Sequence, residues 1–187
     1  MYVFGASTLG EIALDVALDL RLDVQGFVDD VTIERELRGF PVVGGIDWLL
    51  ALLGREVGVE AFVAIGGNEN RAGLVGRLRE AGARLPSLVH PRAYVAPSAT
   101  LGAGNLVMAN AFIGTAVTLG QSNIVFPGAC LTHHNRLGDF NFFAPNVSVG
   151  GRTVFGDLCK IGMNSVVKPD LSIESRFACP PSTVVGA

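Results

Sequence analysis

Val95-Ala-Pro-Ser-Ala-Thr-Leu101-Gly-Ala-Gly-Asn-Leu-Val107-Met-Ala-Asn-Ala-Phe-Ile113-Gly-Thr-Ala-Val-Thr-Leu119 places an apolar residue at every sixth position. The beat continues without an insertion through Val125, Leu131, Leu137, Phe143, Val149, Phe155, Ile161, Val167, Ile173, Cys179 and Val185. Because 49% of the chain is hydrophobic, isolated matches mean little, but a run this long has a chance probability on the order of 10⁻⁴. Glycine follows the anchor at 102, 114, 120, 138, 150, 156, 162 and 186. The slot two before the next anchor is mostly small, as in Ala99, Asn105, Ala111, Asn123, Asn135, Asn141 and Ser165.

Neither a helix of period 3.6 nor a strand of period two can satisfy a strict period of six. A three-sided coil with six residues per side does: anchors stack inside, and glycine and small residues turn the corners. From about Val95 the sequence therefore predicts a left-handed parallel β-helix of about five coils, each buried against its neighbours as in any solenoid. An irregular β-sandwich would not keep register over this length.

Residues 1–90 follow another grammar. Tyr2–Phe4 reads as a short buried strand, Gly5-Ala-Ser-Thr-Leu-Gly10 as a turn, and Glu11–Leu20 as a helix with Ile12, Ala13, Val16, Ala17 and Leu20 on one face. Val24–Val28 is a second strand ending at Asp29-Asp30, and Ala61–Ile65 a third, followed by Gly66-Gly67-Asn68 and a helix to about Ala81. Alternation of this kind implies a small parallel sheet with helices on its faces. The expected organisation is a small Rossmann-like βαβαβ domain over 1–90 and the β-helix over 91–187.

A formal charge of −3 lacks the basic excess of a nucleic-acid-binding surface. Cys130, Cys159 and Cys179 are odd in number and form no CxxC pair, which reads as reduced thiols. The longest oily run, Trp48–Leu53, is too short to span a bilayer, and Met-Tyr-Val-Phe-Gly shows no basic signal region. A cytoplasmic enzyme or binding protein, without membrane insertion, is the expectation.

The chain has three histidines. His133 and His134 fall in outward slots of the hexad Leu131-Thr-His-His-Asn-Arg136, so both should be displayed on the surface, either as a general base or as solvated side chains. A zinc site, as in a β-helix family with carbonic anhydrase activity, needs three convergent ligands. Adjacent residues of an extended chain point apart, and no His-x4-His spacing exists, so no metal is expected. In the N-terminal half, Gly5–Gly10 lies where a phosphate-binding loop would lie at a helix N-terminus. Asp29 follows Gly10 by nineteen residues, where a carboxylate can meet a ribose or base. Ser7 replaces the middle glycine; the alternative is a merely tight turn, and half a dinucleotide fold suits a mononucleotide better than NAD.

Together these features resemble the NeuD-type sialic-acid O-acetyltransferases, a sugar acyltransferase family that includes bacillosamine and perosamine N-acetyltransferases. The resemblance rests on Gly5–Gly10, Phe27-Val-Asp-Asp30, Ala64-Ile-Gly-Gly-Asn68 with Arg71, Val89-His-Pro-Arg-Ala-Tyr-Val-Ala-Pro-Ser98, Leu131–Asp139 and Phe155–Val166. It implies a homotrimer acting on a nucleotide-linked sugar with acetyl-CoA as co-substrate, in polysaccharide or glycoconjugate synthesis. It places the catalytic base at His133, with His134 beside it. The nucleotide sugar falls to Ser7, Thr8, Asp29, Asp30, Gly66 and Asn68, and the CoA to Gly151, Met163 and Phe142.

Three departures qualify the resemblance. His134 stands where the family often has an acid, Leu9 where it often has a histidine, and Cys179-Pro-Pro-Ser-Thr-Val184 where the last coil is usually glycine-rich and followed by a further tail. Weak acetyl-CoA binding is therefore expected. The rivals are a non-catalytic nucleotide-sugar-binding protein without a CoA site and a nicotinamide-dependent enzyme using the N-terminal loop.

Overall fold

The computed structural model describes residues 1–32 and 34–186. The chain divides into two compact units at the Leu88/Val89 peptide.

The N-terminal unit comprises β1 (Tyr2–Phe4), α1 (Thr8–Asp19), β2 (Gly26–Val28), β3 (Glu36–Leu37), β4 (Phe40–Gly44), α2 (Ile46–Leu53), β5 (Ala61–Val63) and α3 (Asn68–Glu80). The sheet order is β3-β4-β2-β1-β5. The pairs β1–β2, β1–β5 and β2–β4 are parallel, and β3–β4 is an antiparallel hairpin. The apolar triplets of β1, β2 and β5 are almost wholly buried, as expected of strands covered on both faces. Helix α1 begins at Thr8, earlier than the periodicity predicts, and buries Gly10, Ala13, Leu14, Val16 and Ala17. Gly10 is required by contact, because a Cβ there would collide with the Gly5 carbonyl oxygen. The oily run around Trp48 is α2, and Glu36–Gly44 forms the β3–β4 hairpin; neither shows a clear apolar period in the sequence.

In the C-terminal unit two-residue strands stack into three parallel sheets of six, five and six members among the described residues. We call the faces first (Ile124-Val125 and its equivalents), second (Cys130-Leu131) and third (Arg136-Leu137). Strand partners are eighteen residues apart throughout, as in Phe112 with Cys130 and Ile113 with Leu131. The prism starts one hexad before the expected Val95: the strand Leu88–Val89 already pairs in the first face. A charged and proline-rich neighbourhood, His90-Pro-Arg92, hides that anchor in the sequence.

The anchors form the core. Val107, Ile113, Leu131, Phe143, Val149 and Ile161 are fully buried, each contributing roughly 1.5–3 kcal/mol relative to exposure. Phe143 and Phe155 meet edge to face at 5.3 Å. The small slot holds a second device. Asn105, Asn123, Asn135 and Asn141 are buried, and their Oδ1 atoms accept the backbone N–H one coil on, from Asn123, Asn141, Thr153 and Cys159 at 2.7–3.0 Å. The third residue after most anchors is left-handed, as at Asn110, Ala116, His134, Asn146, Arg152 and Asn164.

Candidate active site

His133 and His134 occupy the corner between the second and third faces, and both are exposed as expected. The coil below receives the His134 N–H at Thr115 O, 2.8 Å, and the coil above donates Arg152 N–H to His133 O, 3.0 Å. One expectation fails here. The two imidazoles do not point apart, because His134 has φ 55°, and the turn folds its ring back towards its neighbour. The Nδ1 atoms are 3.3 Å apart and the rings meet edge to face at 5.4 Å.

Gly151, one coil above, is buried. A Cβ added there would stand 2.7 Å from His133 Nδ1 and closer still to Cε1 and Nε2. The missing side chain is thus the seat of the imidazole. Next to it, Arg152 grips Asp170 through Nε and a terminal nitrogen, at 2.6 and 2.8 Å. That hydrogen bond is the main reason the Asp170 carboxyl lies below the usual carboxylate range, and the charge of His133 adds to it.

Met163 and Phe142 meet at another corner, between the first and second faces. They line a groove of about 560 Å³ with Phe126, Pro145, Lys160, Cys179, Pro180 and Pro181. Phe126 packs on Phe142 at 5.0 Å, and Lys160 Nζ lies 5.5 Å from the centre of the Phe142 ring. The expected CoA residues therefore divide: Phe142 and Met163 share this groove, whereas Gly151 sits against the His133 ring one corner away. The second face lies between, with Tyr94, Phe112, Val166 and Val184 exposed along its outside and Tyr94 stacked on Phe112 at 4.8 Å.

In the N-terminal unit, a cleft of about 500 Å³ opens at the carboxyl ends of β1, β2 and β5, lined by Phe4, Asp30, Val31, Ile65, Asn70, Leu74 and Arg77. This is where open α/β sheets bind ligands, beside a reversal of strand order. Of the expected residues, Asp30 lines the cleft, and its Oδ1 also accepts the N–H of Ile46 at the start of α2, 2.6 Å. Asp29 is committed to its own loop: it accepts N–H bonds from Ala6, Val31 and Thr32 at 2.7–2.8 Å. Burial raises its pKa, but these three bonds together outweigh that and hold it below the ordinary value. Ser7 and Thr8 are exposed where α1 begins. Gly66 is exposed in the β5–α3 turn, and Asn68 opens α3, its Oδ1 accepting from the buried Arg71 at 2.8 Å. Arg71 also donates to Ile65 O at 2.8 Å, and burial lowers its pKa to about 10.

The cleft wall from α3 escaped the sequence reading. Asn70, Gly73, Leu74 and Arg77 follow i, i+3, i+4, i+7 spacing, but on a polar helix that stripe resembles an ordinary solvated face. Among the described residues, no three His, Cys, Asp or Glu side chains converge as metal ligands.

Comparison with known proteins adds independent observations. Residues 1–78 match the family model of the PglD N-terminal domain. The acetyltransferase domain of PglB from Neisseria gonorrhoeae, solved in complex with acetyl coenzyme A, superposes with a TM-score of 0.89 at 28% identity, covering 98% of this chain and 91% of that one. Perosamine N-acetyltransferase from Caulobacter crescentus, solved as a histidine-to-asparagine mutant with CoA and GDP-perosamine, gives 0.71 at 27% identity, covering 99% and 90%. Residues 1–78 thus match a PglD-type N-terminal domain, and the whole chain is similar to solved sugar N-acetyltransferases. That similarity spans both units, since the two superpositions cover nearly the whole chain. WeeI from Acinetobacter baumannii shares the fold at 17% identity and a TM-score of 0.59. No helix among the described residues is long and apolar enough to cross a membrane.

Proposed function

We propose that this sugar acetyltransferase transfers the acetyl group of acetyl-CoA to an amino or hydroxyl group of a nucleotide-linked sugar, with His133 as general base. The observation that carries the reading is the seating of His133: an exposed imidazole held over Gly151 on a corner of the prism. The N-terminal cleft, with Arg77 and Asp30 in its walls, has the size of a small-molecule site and suits the nucleotide sugar. The groove along Phe126, Phe142, Met163 and Lys160 suits the pantetheine arm and a phosphate of CoA: apolar length with one cation. In the reaction, the acceptor nitrogen or oxygen attacks the thioester carbonyl while His133 Nε2 takes its proton. Backbone N–H groups stabilise the oxyanion, and collapse breaks the C–S bond, with the proton passing to the departing thiolate.

Within one chain the groove and His133 stand on different corners, with the apolar second face between them. A homotrimer, in which the groove of one chain faces the His133 of the next, completes the site. The same reading places the protein in the cytoplasm, in polysaccharide synthesis, with Cys130, Cys159 and Cys179 as reduced thiols outside any disulfide.

The test is direct. The protein is incubated with acetyl-CoA and a panel of GDP- and UDP-linked amino sugars, and free CoA thiol is followed alongside the mass of the sugar. Acetylated product, lost in His133→Ala by roughly 10²–10⁴-fold with the fold intact, supports the reading; full activity in that variant overturns the base assignment. Light scattering that finds monomers at micromolar concentration overturns the trimer. Pro180 and Pro181 in the groove wall favour one second reading, a binding protein that takes nucleotide sugar but not CoA. Thermal shift with nucleotide sugar and none with millimolar acetyl-CoA would favour it.

A further inference from the structure

The contact between His133 Nδ1 and His134 Nδ1, 3.3 Å, constrains where protons can be. Two facing ring nitrogens cannot both carry hydrogen; one donates and the other accepts. A neutral pair joined by that hydrogen bond has two arrangements. If His134 donates, His133 holds its own hydrogen on Nε2 and cannot act there as a base. If His133 donates, its Nε2 is bare and His134 keeps its hydrogen on Nε2. Only the second arrangement is competent.

The surroundings leave this work to the pair. The coil below presents Thr115 and Ala116, which carry no charge. The coil above presents Gly151 and Arg152, and beyond it Asp170, whose charge reaches His133 but whose two oxygens are both engaged by Arg152. Arg136, on the following strand, carries no acceptor.

We propose that His134 is the positioning residue of the acetyl-transfer base. Its Nδ1 accepts the Nδ1 hydrogen of His133 and so selects the tautomer with a bare Nε2. This rests on the reading of His133 as base. When His133 Nε2 takes the proton of the acceptor, the Nδ1 hydrogen leans towards His134, and the positive charge spreads over two rings. When the C–S bond breaks, the Nε2 proton goes to the thiolate and the pair returns to its starting state. A carboxylate would accept the same hydrogen and add charge stabilisation. An imidazole accepts only while its own Nδ1 is bare, so an Nδ1 hydrogen on His134 would put N–H against N–H and release the His133 ring.

Two substitutions fit the left-handed turn at 134 without strain. His134→Gly removes the acceptor; His134→Asp replaces it. In the full-length protein, kcat and KM are measured from pH 5 to 9 beside His133→Ala, and folding is checked by thermal melting. The ¹⁵N spectrum of the imidazoles, with only three histidines in the chain, reports the tautomer. We expect wild-type His133 to carry hydrogen on Nδ1. His134→Gly should lower kcat roughly 10²-fold, leave both KM values within about twofold, and redistribute the His133 tautomer. His134→Asp should restore most of kcat and return the hydrogen of His133 to Nδ1. A bare Nδ1 on wild-type His133, or a His134→Gly enzyme with unchanged kcat and tautomer, overturns the proposal. If His133→Ala is itself fully active, the base reading falls; if it is inactive while His134→Gly is unaffected, only the pairing falls.

Discussion

The imidazole of His133 rests on the bare α-carbon of Gly151, eighteen residues and one coil away. A methyl group at 151 would occupy the place of the ring, so Gly151→Ala should displace His133 and leave the backbone, which is not left-handed there, in place. The expected result is a fall in kcat of roughly 10²-fold, as for an ångström-scale misplacement of a reacting group. The thermal midpoint should change little. Steady-state kinetics and melting curves on the same preparation check both.

Asp29 ties the loop before α1 to the loop after β2 through three backbone N–H groups. Its pKa is lowered in the folded state, so the stabilisation it gives is full above the unfolded carboxylate value, about 3.9. That stabilisation is lost as the pH falls from there through the lower folded value. Asp29→Ala should remove this acid-side slope and weaken nucleotide-sugar binding, with acetyl-CoA affinity unchanged. Calorimetry with each ligand tests the separation: parallel losses would mean that Asp29 acts beyond its own unit.

Asn123 accepts the Asn141 N–H inside the prism at 2.8 Å and donates to Asn105 Oδ1 at 3.2 Å. Asn123→Ala leaves a buried donor without its acceptor, and should destabilise the protein by about 1–3 kcal/mol. Urea denaturation gives the value; an unchanged midpoint would mean that water or a shift of the coil replaces the lost bond.

Pro180 and Pro181 wall the groove that carries Phe142 and Met163, and neither offers an N–H to a ligand. Acetyl-CoA should therefore bind in the tens of micromolar or weaker, about −6 kcal/mol. Isothermal titration measures it directly, and nanomolar affinity would show that the prolines take nothing from the site.

The prism was legible because its core repeats at a period that no other backbone form shares; only the hexad ending at Val89 escaped, beside His90 and three residues before Arg92. The N-terminal sheet was legible in its buried triplets. Its β3–β4 hairpin was not, since Glu36-Leu37 and Phe40–Gly44 lack alternation. In the site, His133 stood out by the scarcity of histidine and its outward slot. Its contact with His134 did not, because reading neighbours as facing apart assumes an extended chain, and the φ of 55° at His134 comes from the corner geometry. Arg77 and Asn70 were hidden for a different reason: a polar stripe on a helix is the same whether it faces water or a ligand.

Since strand partners in the prism lie eighteen residues apart, changes of length there are quantised. Loss of one residue between Leu119 and Leu131 would turn every later anchor outward and detach the asparagines from the N–H groups they serve. Loss of a full eighteen would remove a storey and leave those above it in register. What such an excision changes is height: taken from below His133, it lowers the catalytic corner and the groove together, and their spacing survives. Taken from Gly138 through Phe155, it would bring Asp170 to the level that Arg152 now holds and put Pro169 where Gly151 makes room for the ring. The architecture tolerates that cut; the chemistry does not.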